Sequence, residues 1–255
     1  MKKLLTFIIA FAIVACNKEN SVSPLLPEIE QQCDTAPHAA YSRLLEIDSE
    51  RELPNEASKA KYALLLTKSA DKAYIRHTSD STIKRALTYY ESKGSTAELA
   101  EAQYYMGSVY RDMYDAPKAV IWYNKAIETA QKDEELKKSI LLARIYSQLS
   151  ELYDYQFNYT ASLDAIRKAY RIKESNGKVD ATALHDIAST FHKCNETDSA
   201  MLYYKRCLLH IEGNNRMKED LRYLGVMLSF FSSTGENEYA ERCMRFVNRF
   251  APEII

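Results

Sequence analysis

Apolar residues are distributed along this chain in two different ways. At the start, Met1-Lys2-Lys3 leads into an apolar run from Leu4 to Ala15, interrupted only by Thr6. Such a run is too short to cross a bilayer, which takes about 20 residues, so residues 1–15 read as an export signal. No later run approaches spanning length. From residue 24 onward the apolar positions instead recur at helical spacing, in a background of Ala, Leu, Glu and Lys. No regular Val/Ile/Thr alternation appears between turn clusters, so the pattern predicts an all-α chain.

Individual helices follow from the same pattern. A short one starts after Pro24, and Thr35-Ala36-Pro37 opens another that runs through Leu45. Ala57–Ala70 and Ser81–Lys93 form a pair separated by the polar stretch Asp71–Asp80. Residues 134–150 fit one extended helix, and Pro117 suits the first turn of a helix.

The helices carry a repeat. Met106-Gly107-x-x-Tyr110 is followed by Ala119-x-x-x-Tyr123-x-x-Ala126. The skeleton returns as Leu149-Ser150-x-x-Tyr153 with Ser162-x-x-x-Ile166-x-x-Ala169, and as Ile187-Ala188-x-x-Phe191 with Ala200-x-x-x-Tyr204-x-x-Cys207. A last copy is Met227-Leu228-x-x-Phe231 with Ala240-x-x-x-Met244-x-x-Val247, and Pro252 follows it. The anchors at 107, 150, 188 and 228 lie 43, 38 and 40 residues apart. Small residues let two antiparallel helices approach closely, aromatics fill the gap between hairpins, and each hairpin must stack on the next to cover its apolar face.

This spacing resembles the tetratricopeptide repeat (TPR) family. The resemblance covers residues 97–252 well and residues 24–96 loosely, and it implies an α-solenoid of antiparallel hairpins with four clear and one or two divergent repeats. It departs from the family in lacking the first-helix Trp; the equivalent positions hold Gln103, Tyr146, Leu184 and Leu224. The resemblance further implies a concave surface lined by the first helix of each hairpin. That surface would comprise Glu101, Tyr104, Ser108 and Arg111, then Arg144, Ser147, Gln148, Glu151 and Asp154. His185, Asp186, Ser189 and His192 come next, followed by Arg222, Ser229 and Ser232. Such a groove is mixed-charge and hydroxyl-rich, suited to an extended peptide; Tyr104 and Ser108 stand at two positions where carboxylate-clamping members carry basic or amide side chains, which argues against that particular clamp.

A second resemblance concerns the start of the chain. Ile13-Val14-Ala15-Cys16 is similar to the lipobox of bacterial lipoproteins, which implies that Cys16 becomes a lipid-modified N-terminus anchoring the chain to a membrane; the alternative is an ordinary secretory signal beside a chance cysteine. Residues 16–23 then act as a tether of at most ~25 Å. Asn17 is not the aspartate of inner-membrane retention, which favours the outer membrane, and Asn17-Lys18-Glu19 faintly resembles a surface-export signal of Bacteroidota lipoproteins.

Charge and chemistry narrow the function. The formal charge of −1 becomes −3 once Lys2 and Lys3 are removed, which offers no footprint for nucleic acid. With six glycines, no nucleotide-cradling loop can be assembled. The histidines and cysteines show no zinc spacing, Cys33, Cys194, Cys207 and Cys243 read as free small apolar residues, and no nucleophile–base arrangement is present. Neither a metal nor a cofactor is expected, and the chain reads as a non-enzyme. The last helix carries Cys243, Phe246, Val247 and Phe250 as an apolar stripe, a surface that would dock a partner or a second copy through Phe246 and Phe250, or be covered by Ile254-Ile255. The combined expectation is a lipid-anchored scaffold for protein or peptide partners in the cell envelope. Its alternatives are a sensor module acting through a membrane regulator, and glycan or nutrient capture.

Overall fold

Short polar side chains punctuate the helices. Asn55 accepts from the Ser58 N–H at 2.9 Å, Ser139 from Leu142 at 3.2 Å, Asn158 from Ala161 at 3.2 Å and Asp180 from Ala183 at 2.8 Å. Ser95 and Glu98 form a reciprocal capping box. Each cap satisfies N–H groups that the helix leaves unpaired, and so fixes where the helix begins.

The computed structural model describes residues 23–213 and 217–250, and no strand occurs among them. The helices are α1 (Leu26–Thr35), α2 (Pro37–Leu45), a single turn α3 (Ser49–Glu52), α4 (Glu56–Lys72), α5 (Ser81–Lys93), α6 (Thr96–Asp112) and α7 (Ala116–Ala130). They continue with α8 (Ile140–Tyr155), α9 (Tyr159–Ser175), α10 (Ala181–Lys193), α11 (Thr197–Gly213), α12 (Met217–Ser233) and α13 (Asn237–Phe250). Neighbours pair as antiparallel hairpins, α4/α5, α6/α7, α8/α9, α10/α11 and α12/α13, and each hairpin stacks on the next. At the N-terminal end, α1 and α2 pack on each other and on α4. The chain is thus an all-α solenoid of stacked hairpins.

The five hairpins turn in the same way. The second residue after each first helix, Tyr74, Tyr114, Phe157, Asn195 or Gly235, has positive φ between 56° and 77°. The next residue's N–H reaches back to a carbonyl five positions earlier at 2.9 Å, from Ile75 to Ala70, Asp115 to Tyr110, Asn158 to Tyr153, Glu196 to Phe191 and Glu236 to Phe231. This left-handed cap satisfies the last carbonyls of the helix. Its presence after α4 places the divergent α4/α5 pair in the same array as the clearer copies.

The long interval between the first two anchors has a local cause, and it corrects the expectation of one helix over residues 134–150. Asp133 Oδ1 accepts from the Glu135 and Leu136 N–H groups at 2.9 and 3.0 Å, a 3₁₀ turn follows at Leu136–Lys138, and α8 starts only at Ile140. Aspartate and serine side chains here bond the backbone locally and interrupt the helix that composition favours.

Inside the hairpins the small positions set the helix separation. A Cβ on Gly107 would stand 2.5 Å from Cδ1 and Cε1 of the Tyr123 ring, which is fully buried on α7. In the next hairpin the Ser150 and Ser162 hydroxyls bond each other at 2.9 Å in the core. Cys33, Cys207 and Cys243 are buried and Cys194 is half-buried, and the Cys207 thiol donates to the Ala181 carbonyl at 3.4 Å. Burial pushes the thiols of Cys33 and Cys243 up to about 11. On α13, Cys243 is buried while Phe246 and Val247 are half-buried against the C-terminal core, so much of the predicted end stripe is spent on internal packing. The Phe250 side chain, Pro252, Ile254 and Ile255 lie outside the described residues, as do Cys16 and the tether.

Gly107→Ala should destabilise the protein by about 1–3 kcal/mol, because overpacking against Tyr123 outweighs the better helix propensity of alanine. A lower urea midpoint at unchanged slope is the expected readout.

Candidate functional site

First helices of three successive hairpins enclose a polar cavity of about 450 Å³. Asp71, Lys72 and Tyr74 come from α4 and its turn, Tyr104 and Arg111 from α6, and Arg144, Gln148 and Glu151 from α8. Arg111 is the hub. Its Nη2 donates to Asp71 Oδ1 at 2.8 Å and Asp112 Oδ1 at 2.7 Å, and its Nη1 donates to Gln148. Asp112 also accepts from the His77 backbone N–H at 3.2 Å and lies 2.7 Å from His77 Nδ1. The network therefore ties three hairpins together across the cavity wall.

Burial opposes the charge of Asp112, but its bonds to His77 and Arg111 outweigh it and hold the carboxyl at about 2, below its usual value. Lys72 is engaged by Asp34, and Lys68 by Glu101 at 3.0 Å. Arg144 differs. No carboxylate of the described residues lies within ion-pair distance of its guanidinium; burial opposes its charge, and the more distant carboxylates of Asp34 and Glu101 favour it. The Tyr105 hydroxyl is buried without a hydrogen-bond partner among the described residues. The cavity thus holds a guanidinium with no direct ion-pair partner among the described residues, above a tyrosine floor.

The residues predicted to line one continuous surface separate into groups. Tyr104, Arg111, Arg144, Gln148 and Glu151 converge on the cavity. Ser147 is half-buried beside them on α8. Ser108 is a correction: it is fully buried and bonds the Tyr123 hydroxyl at 3.3 Å, because its position faces the hairpin interior. Tyr104 is only 2% exposed and serves as floor, with its ring against Tyr105 at 4.8 Å. Glu101 and Asp154 are committed to Lys68 and Lys193, the latter at 2.6 Å. His185, Asp186, Ser189 and His192 sit apart on α10. The His185 ring stacks on Tyr223 at 4.5 Å, its Nδ1 is 3.2 Å from Asp186 Oδ1, and exposed His192 meets the edge of Phe230 at 5.0 Å. Arg222 lies over Tyr223, and Ser229 and Ser232 are exposed.

Asp71, Lys72, Tyr74, His77 and Asp112 escaped the sequence reading. The signal for the first three was the repeat itself: placing Tyr74 in register with Tyr114 and Phe157 brings the end of α4 to the same cavity. Among the described residues no cluster of three or more His, Cys, Asp or Glu could hold a metal ion, and no helix is long and apolar enough to cross a membrane.

Comparison with known proteins places this geometry in a class. Residues 98–175 and 181–209 match tetratricopeptide repeat models. No curated protein sequence matches. Solved structures with the same fold include BtubC (BKLC) from P. vanneervenii, at TM-score 0.66 and 14% identity over 90% of this chain and 92% of that one. A Rap protein complexed with competence and sporulation factor aligns at TM-score 0.54 and 15% identity, over 89% and 72% of the two chains. NprR in complex with its cognate peptide NprX aligns at TM-score 0.51 and 12% identity, over 93% and 82%. The protein is a TPR-like solenoid.

The Asp112 network should make stability pH-dependent. Its folded value lies below the unfolded one, so the contribution is complete above about pH 4 and lost as pH falls toward 2, roughly 2 kcal/mol in all. Urea unfolding between pH 5 and 2 should show that loss in wild type, with a smaller decline in Asp112→Asn.

Proposed function

We propose that the protein is a non-catalytic scaffold that holds an extended polypeptide segment in the α4/α6/α8 cavity, with a carboxylate of that segment against Arg144. The observation that carries this reading is Arg144 itself, a half-buried guanidinium without an ion-pair partner among the described residues. A partly buried guanidinium gains from a direct carboxylate partner, and a ligand carboxylate would supply the contact that the chain does not. Arg111 sits on the same wall but is neutralised by Asp71 and Asp112 and acts as a brace for the site. NprR, of the same fold, is seen in complex with its cognate peptide, and a Rap protein with competence and sporulation factor, which supports a polypeptide ligand.

The lipobox-like Ile13-Val14-Ala15-Cys16 supports a lipid anchor at Cys16 and a place in the cell envelope, with the outer membrane favoured by Asn17. On that reading the array works within a short tether's reach of the membrane. Exchanging Cys16→Ser should move the protein from the detergent-soluble membrane fraction to the aqueous one and abolish incorporation of radiolabelled palmitate; retention of label would contradict the anchor.

Arg144→Ala should weaken binding of acidic peptides at least about tenfold, the value of one charge-assisted contact, at unchanged melting temperature. Fluorescence anisotropy with peptides differing only in a free or amidated C-terminus, and in Asp against Asn, would identify the carboxylate. Equal affinity of Arg144→Ala and wild type for all of them would end the proposal.

A further inference from the structure

The five hairpin turns share one backbone conformation but not one kind of residue. Asn195 and Gly235 are the residue types that a left-handed cap favours. The other three positions hold Tyr74 at φ 56°, Tyr114 at φ 62° and Phe157 at φ 58°. Bulky side chains are strained in this region, where the Cβ crowds the backbone, and nothing in the turn requires them, since Asn195 makes the same turn. Packing covers little of them: Tyr114 carries Arg76 over its ring and Phe157 meets the edge of Tyr159, yet Tyr74 is 93% exposed, Tyr114 79% and Phe157 79%. Met113 and Tyr155, both exposed, stand beside the second and third of these rings. Three strained aromatics therefore project in register along one edge of the solenoid, and only in the half that contains the cavity. Tyr74 also lines that cavity, so the edge and the cavity form one surface.

From this we infer that the turn edge is a second contact site for a polypeptide partner, one that carries arginine or lysine beside apolar residues. The occupant rests on the reading given under Proposed function; the edge itself rests on the turns. Aromatic residues, Met and Arg are the side chains enriched where proteins meet. The charges at the edge favour a basic segment. Arg111, Lys118 and Lys193 are each on a carboxylate, and Arg76 is engaged by the Asp112 carbonyl and the Tyr114 ring, whereas Asp80 and Glu151 make no ion pair among the described residues and accept from the Tyr110 and Tyr155 hydroxyls at 2.7 and 3.4 Å. The chain supplies one example of the contact in Arg76, whose guanidinium lies 4.1 Å from the centroid of the Tyr114 ring. A partner's cation over Tyr74 or Phe157 would repeat it. An anionic membrane fits less well, because the same carboxylates would repel it.

The strain makes the test sharp, because function and stability respond in opposite directions. Wild-type full-length protein is used to select binders from a phage-displayed library of random linear peptides, and recovered peptides are titrated against variants. In the triple variant Tyr74→Asn, Tyr114→Asn, Phe157→Asn, the melting temperature should be equal to or above wild type while affinity falls at least about tenfold. Tyr74→Phe with Phe157→Tyr keeps the rings and should keep the affinity, which separates loss of contact from loss of fold. Arg and Lys should be enriched in the recovered peptides. Wild-type affinity in the triple variant, or recovered peptides without basic residues, would overturn the inference. Peptides lost in Arg144→Ala but retained by the triple variant leave the cavity standing without the edge, and the converse leaves the edge without the cavity. A library that yields no binder overturns both.

Discussion

The close approach of two helices within each hairpin is the constraint on which the rest of this protein depends. Where α6 meets α7, the separation leaves no room for even one methyl group between Gly107 and the Tyr123 ring. Where α8 meets α9, two serine hydroxyls bond across the interface. Helices held this close bury their small faces completely, but each pair is too thin to cover its remaining apolar surface. The uncovered face must be met by the next hairpin, and the core therefore extends along the chain rather than closing on itself. From this one separation follow the antiparallel pairing, the stacking order and the alignment of first helices that brings α4, α6 and α8 around one cavity.

Polar interactions then divide into those that hold the array and those that it presents outward. Arg111 joins α4, α6 and α8 through Asp71, Asp112 and Gln148, and Asp112 draws in His77 from the linker after α4. The carboxylates and guanidinium of this network are bonded to one another and rigidify the wall on which it sits, while the buried His77 Nε2 has no partner among the described residues. Arg144, one hairpin along, is left outside it. The contrast between a guanidinium with two carboxylates and one with none is what distinguishes the cavity from ordinary hairpin packing. The strained aromatic turns make a similar contrast at the edge, since the same backbone is built without strain in the last two hairpins.

Much of the fold was legible in the residues. Helical periodicity and the small/aromatic spacing marked the hairpins, and prolines and short polar caps marked where helices begin, as with Pro117 in α7. The break before α8 was not legible, because Asp133 and Ser139 end and restart a helix through hydrogen bonds that composition does not display. The candidate site was legible only in part. Arg111, Arg144, Gln148 and Glu151 fall where the repeat places outward positions, but Ser108 faces inward, and Asp71, Lys72 and Tyr74 come from a divergent hairpin whose register shows only in its turn.

The sequence by itself determined the class of structure, since periodicity and small-residue spacing are local properties that act within one hairpin. Only the tertiary structure decided which charges are spent and which remain. Lys72 meets Asp34, Lys193 meets Asp154 and Glu101 meets Lys68 across separations of more than thirty residues. Pairing at such range depends on how hairpins stack, and stacking is a sum over many contacts that no single motif encodes. That is why Arg144 could be placed on a surface from the repeat alone, while its being unpaired there emerged only from the folded array.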